Sequence, residues 1–233
     1  MISRFLKTKF HVPALRTGSV SRPRLLEHLQ LGLNEGCKLT LVSAPAGYGK
    51  TTLVAEWIDT ILNDRKATTR IAWLSLDEED NDTARFLGYL VSALRTIDET
   101  PGQSTPGLLG MPQLPPLSII FDEIINDLVG LDYKTILFLD DYHVITNPKL
   151  QEALEYFIEH QPPSFHLALT TREDPPFSLA RMRAKGQLTE IRAHDLRFRL
   201  EEAHQFFNQF LIRSLTYFPA QRFFKSTHEP TPR

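Results

Sequence analysis

Cysteine is almost missing from this chain: Cys37 stands alone among 233 residues. One thiol excludes an intrachain disulfide and any multi-cysteine metal cluster. Cys37 therefore reads as a small apolar side chain ahead of a strand. No apolar run approaches the roughly 18 residues that a membrane-spanning helix needs. The opening Met1-Ile2-Ser3-Arg4-Phe5-Leu6-Lys7 lacks the apolar stretch of a secretory signal. A cytoplasmic protein with no membrane partner is the resulting expectation. Charge of one sign is also scarce, the formal net charge being −2, so the basic excess of a nucleic-acid-binding domain is not there. Eight histidines are scattered without a helical His-x-x-x-His pair, which argues against a metalloenzyme.

What is present suits a packed α/β domain. Hydrophobic residues make up 42% and charged residues 23%, enough to bury a sizeable core. Residues 1–20 read as an irregular lead-in. Ser21-Arg22-Pro23 opens a helix carrying Leu25, Leu26, Leu29 and Leu33, with Ser21 expected as N-cap and Pro23 in the first turn. Leu39 to Val42 reads as a buried strand and about Lys50 to Leu62 as a helix. Ile71 to Leu76 is a second strand. The acidic run Asp77 to Asp82 then caps a helix over Thr83 to Ile97; it lacks the glycine and closing glutamate of a calcium loop. Thr100 to Pro116 is too rich in proline and glycine for regular structure. A helix over about Leu117–Gly130 precedes the most apolar strand, Thr135 to Asp140. Pro148–His160 is helical, while Phe165–Thr170 and Leu188–Ile191 are strands. Helix and strand alternate, and the strands are nearly all apolar, so a central parallel sheet covered by helices on both faces is expected. A new helix starts near Arg199 and its pattern fails beyond Leu211. The domain layout is thus a lead-in to residue 20, a nucleotide-binding domain over 21–198, the start of a further module at 199–210 and a disordered tail at 211–233.

Between the first strand and its helix lies Ala44-Pro45-Ala46-Gly47-Tyr48-Gly49-Lys50-Thr51, followed by Thr52. A triphosphate needs several backbone N–H donors converging on it, and a loop wrapping that closely tolerates little side chain. Gly47 and Gly49 meet that need. Lys50 is placed to bridge the β- and γ-phosphates, and the Thr51 hydroxyl to ligate Mg²⁺. Ala44 stands where the motif more often has its first glycine. The strand Ile136-Leu137-Phe138-Leu139 ends in Asp140-Asp141. Asp140 is the expected Mg²⁺ partner, and Asp141 is placed to orient or deprotonate an attacking water. Arg172, after a later strand, would lie near the γ-phosphate if that strand flanks the phosphate loop; otherwise it is a surface arginine paired with Glu173 or Asp174.

Several stretches taken together, Ser43 to Leu53, Ala72 to Asp77, Asp80-Asn81-Asp82 with Arg85-Phe86, Leu139 to Ile145 and Leu196-Arg197-Phe198, resemble the nucleotide-binding domain of the MalT-like transcriptional regulators. These are ATP-dependent LuxR-type proteins, signal-transduction NTPases with numerous domains related to AAA+ ATPases. The likeness runs over about residues 10–210. It implies a P-loop NTPase fold and an ATP/ADP switch with Mg²⁺: ATP with an inducer favours an open, self-associating form, and slow hydrolysis returns it to rest. It implies phosphate and magnesium roles for Lys50, Thr51 and Asp140 and a sensor role for Arg172. Val20-Ser21-Arg22 resembles the segment lining the adenine pocket. Glu201 to Phe210 resembles only the first helix beyond the family's ATPase core, the start of a truncated helical or winged-helix module; the sensor repeats and the helix-turn-helix are expected to be lacking, so no direct DNA binding is expected of it. Two other readings remain open: a P-loop phosphotransferase whose lid arginines come from Arg172, Arg181 and Arg183 with Lys185, and an inactive remnant.

Overall fold

The computed structural model describes residues 5–15, 18–64, 68–102, 105–109, 111 and 113–217. Five strands, β1 Leu39–Ser43, β2 Thr69–Ser75, β3 Lys134–Asp140, β4 Phe165–Thr171 and β5 Leu188–Arg192, make one sheet in the order β2-β3-β4-β1-β5. Every pairing is parallel. The expected sheet is therefore observed, and its order places β4 between β1 and β3.

Strand side chains alternate between two cores, as the pleat requires. From β3, Ile136 and Phe138 enter the layer of α1 (Pro23–Asn34) and α2 (Lys50–Asn63), where Leu29, Leu53, Trp57 and Ile58 meet them. Trp57 stands edge-on to Phe138 at 5.5 Å. Leu137 and Leu139 enter the opposite layer with Phe86, Leu90, Phe121 and Phe157 of α3 (Thr83–Leu94), α5 (Leu117–Val129) and α6 (Pro148–His160). Each such fully buried side chain contributes about 1.5–3 kcal/mol. Gly32 lets α1 lie close on β5: a Cβ there would stand 1.8 Å from Thr189 Oγ1.

The structure departs from the sequence reading at several points. The N-cap of α1 is Arg22, with no side-chain cap, and Pro23 occupies the first position; Ser21 does not serve there. Within the lead-in, Lys7–Phe10 forms a 3-10 turn. Its Lys9 is buried between Asp80 (2.5 Å) and Asp77 (2.7 Å), while Phe5 packs on Tyr89 and fills the space a Cβ of Gly88 would need. The acidic run is partly a 3-10 turn, Glu78–Asn81, and Asp82 caps α3 through the Arg85 amide. Inside the proline-rich break sits α4, Thr105–Leu109; the proline that interrupts a helix interior suits a first turn. A further short helix, α7 Leu179–Ala184, precedes β5.

By internal contacts the chain divides into two units, Met1–Leu15 with Arg22–Arg197, and Arg16–Ser21 with Phe198–Arg233. The first holds the sheet and both helical layers. The second contains α8, Leu200–Tyr217, which continues past the Leu211 where the apolar period fails. Within it the Arg199 amide bonds to the Glu202 carboxylate at 2.9 Å, and the Phe198 and Phe206 rings lie 5.8 Å apart. The tail expected at 211–233 lies, beyond residue 217, outside the described residues.

Candidate functional site

The chain turns sharply on leaving β1. Gly47 and Gly49 have φ of +83° and +78°, values that carry strain for any residue with a Cβ. A Cβ on Gly47 would meet nothing, whereas one on Gly49 would stand 2.9 Å from Arg22 Nη2. The Arg22 guanidinium also donates to the Leu196 carbonyl at 2.9 Å, so it packs close to the loop at Gly49 and bonds to the turn after β5. Gly49 is the N-cap of α2 and supplies no side-chain cap, which leaves first-turn N–H groups directed at the loop. Ala44 is buried, Pro45, Ala46 and Gly47 are exposed, and Tyr48 leans on the α1/α2 layer. Thr52 lies in the first turn of α2, half-buried.

Lys50 is 6% exposed, and its ammonium donates to the Ala44 and Pro45 carbonyls at 2.8 and 3.2 Å. Burial holds its pKa below the ordinary lysine range, with Asp141 pulling the other way. A buried cation bonded to neutral carbonyls has unmet demand for negative charge. That demand fits a phosphate chain.

Across β4 lie the acids. Thr51 Oγ1 stands 3.1 and 3.3 Å from the two oxygens of Asp140, and Thr170 of β4 donates to Asp140 Oδ1 at 2.5 Å. Burial raises the Asp140 pKa, with the neighbouring Asp141 charge adding to it, and the Thr170 and Thr51 hydrogen bonds oppose the rise. Thr51 and Asp140 together offer a hydroxyl and a carboxylate within reach of one ion. Among the described residues no cluster of three or more His, Cys, Asp or Glu forms a closed metal site. Two hard oxygen donors, with the remaining positions left to phosphate and water, suit Mg²⁺.

Asp141 is in the left-handed region at φ 58°, the sole non-glycine there among the described residues. Its amide donates to Thr170 Oγ1 at 3.0 Å, and its carboxylate is about half exposed beside His143, whose Nδ1 is 3.7 Å away. Burial, then Arg172, lowers the His143 pKa, which favours a neutral ring at pH 7. Arg172 follows β4, whose Thr171 pairs in register with Ser43 of β1, and it lowers the Lys50 pKa as well. Among the described residues no ion pair joins it to Glu173 or Asp174, and Asp174 is held instead by Ser43 and Arg192. The structure thus gathers Lys50, Thr51, Asp140, Asp141 and Arg172 at one sheet edge. Thr170 and His143 join them without having been singled out from the sequence. A polar residue ending the apolar strand β4, and the Asp-Asp-Tyr-His spacing, were the available signals. Arg181 and Arg183 do not join: they pair with Glu159 and Glu190.

No family model matches the chain. It is 37% identical over 207 residues to the HTH-type transcriptional regulator MalT of Serratia proteamaculans (strain 568), covering 89% of this chain and 22% of the relative. It is 36% identical over 202 residues to MalT of Yersinia pestis (strain Pestoides F), covering 87% and 21%. The chain is homologous to MalT along this stretch. It spans about a fifth of the length of these MalT relatives. Among solved structures, Cdc6p of Pyrobaculum aerophilum superposes with a TM-score of 0.52 at 16% identity, over 81% of this chain and 49% of that one. That likeness concerns the fold alone: with the strand order it gives the MalT-homologous stretch the parallel α/β fold of P-loop AAA+ ATPases. No helix among the described residues is long and apolar enough to cross a membrane.

Proposed function

We propose that this chain is the ATP-binding, slowly hydrolysing switch module of a MalT-like regulator. The observation carrying this reading is the buried Lys50 ammonium, bonded to loop carbonyls beside a Thr51–Asp140 oxygen pair. In this reading Lys50 and the loop amides hold the β- and γ-phosphates, and Thr51 and Asp140 hold Mg²⁺. The ion, when bound, supplies neutralisation of phosphate charge. Asp141 orients a water for attack on the γ-phosphate and takes up its proton, the ring of His143 beside it. Arg172 meets the charge gathering on the transferred group and reports whether the γ-phosphate is there. The resting state carries ADP. The partners of the module are other regulator domains or further copies of itself. DNA recognition is not assigned to these residues.

Titration with a fluorescent ATP analogue tests the assignment. Lys50→Ala lowers affinity at least about tenfold, while the free protein keeps or gains thermal stability because a desolvated charge is removed. Unaltered affinity in that variant would sink the reading.

A further inference from the structure

We propose that Asn81 is a positioning residue for hydrolysis at this site, acting on Asp141 through the loop that follows it; this rests on the hydrolytic reading above. The loop, residues 142–147, is a 3-10 turn followed by extended chain, with no ladder of its own to fix it. Asn81 supplies the missing partners from more than sixty residues away. Its Nδ2 donates to the Val144 carbonyl at 2.6 Å, and its Oδ1 accepts from the Thr146 and Asn147 amides at 2.7 and 3.1 Å. Its own carbonyl accepts from Asn147 Nδ2 at 3.1 Å. One amide side chain thus satisfies three backbone groups that would otherwise be exposed or unpaired.

The link to the site is short. Val144, whose carbonyl Asn81 holds, uses its amide to bond the Asp141 carbonyl at 3.2 Å. On its other side Asp141 is held by Thr170. A left-handed aspartate costs about 1–3 kcal/mol and persists only where its surroundings over-determine it; Asn81 and Thr170 are the two ends of that restraint. Asn81 is itself seated firmly, since its neighbour Asp80 is fully buried and ion-paired with Lys9 and Arg85. The acidic run, which looks like a solvated helix cap in the sequence, therefore works as the bracket of the hydrolytic loop.

The test uses the full chain. Asn81→Ala lowers kcat for phosphate release about tenfold or more while nucleotide affinity stays within about twofold. The Thr146 and Asn147 amides exchange with deuterium at least about tenfold faster. Asn81→Asp keeps the acceptor for both amides but loses the donor to the Val144 carbonyl, so it restores slow exchange at Thr146 and Asn147 while kcat stays low, and it serves also if the alanine variant fails to fold. Ile61→Val, a core truncation in α2, leaves kcat unaltered and so separates positioning from general destabilisation. Wild-type kcat in folded Asn81→Ala, equal losses in kcat and affinity, or a matching loss in Ile61→Val each overturn the proposal. If the wild-type chain binds ATP and releases no phosphate, the hydrolytic reading alone has failed. Exchange at Thr146 and Asn147 then decides whether Asn81 holds the loop, and unchanged exchange rejects it.

Discussion

The Thr170 hydroxyl donates to Asp140 Oδ1 at 2.5 Å, and its oxygen accepts from the Asp141 amide at 3.0 Å. One β4 side chain therefore sets the rotamer of one acid and the backbone of the next.

Thr170→Val keeps the β-branch and nearly the volume while deleting both bonds. It leaves a buried carboxylate short of one donor and the Asp141 amide without its acceptor, costing about 1–3 kcal/mol of stability. Chemical denaturation measures that cost. Phosphate release falls about tenfold or more in the same variant. Unaltered turnover would show that neither acid depends on Thr170 for its placement.

Asp141→Asn preserves shape and the backbone restraint, since the amide to Thr170 is unaffected. Nucleotide affinity stays within about twofold and turnover drops about 100-fold, within the usual range for losing a general base. A parallel loss of affinity would instead make residue 141 a metal or phosphate ligand.

His166 is 1% exposed between Cys37 O (2.7 Å from Nδ1) and Thr40 Oγ1 (2.9 Å from Nε2). Nδ1 donates to the carbonyl, so Nε2 accepts from the hydroxyl and the ring is neutral. Burial lowers its pKa to about 4 from 6.5. The folded state binds this proton more weakly than the unfolded state, so stability is lost as pH falls. The loss begins near pH 6.5, reaches about 3 kcal/mol and is complete below pH 4. Urea titrations across this window show the slope, and His166→Gln flattens it. An equal slope in that variant assigns the acid sensitivity elsewhere.

Gly32→Ala drives a methyl into Thr189 Oγ1. The cost is about 1–3 kcal/mol, and Thr189→Ala in the same chain recovers part of it. A double-mutant cycle with no coupling between the two would place the strain elsewhere.

Much of this fold can be read from the sequence because its central strands β1, β3 and β4 are buried on both faces. The run Ile136 to Leu139 has no helical reading at that length, and the Gly47-x-Gly49-Lys50-Thr51 loop carries its chemistry in adjacent residues. Pro148–His160 agrees at both ends because Asn147 and Pro148 mark the start and helical spacing carries it through. The misses share another cause. Six residues of α7 and five of α4 are too short to establish a period. Thr170 and Asn81 owe their roles to partners brought close by the strand order and by a loop crossing; the polar end of β4 hints at Thr170, and nothing local in Asp80-Asn81-Asp82 announces what Asn81 holds.

The strand order also sets a sequence of events during synthesis. By the time Asp141 has been made, the chain contains both the phosphate loop and the acids opposite it, but β1 and β3 are not neighbours. Only residues 165–171, made later, can enter between them and set their spacing. A nascent or partly folded chain lacking that insertion has every phosphate-loop residue and no competent site. On the ATP-binding function proposed above, nucleotide capture is a late event that reports closure of the sheet, and bound nucleotide stabilises the closed sheet over its open precursors.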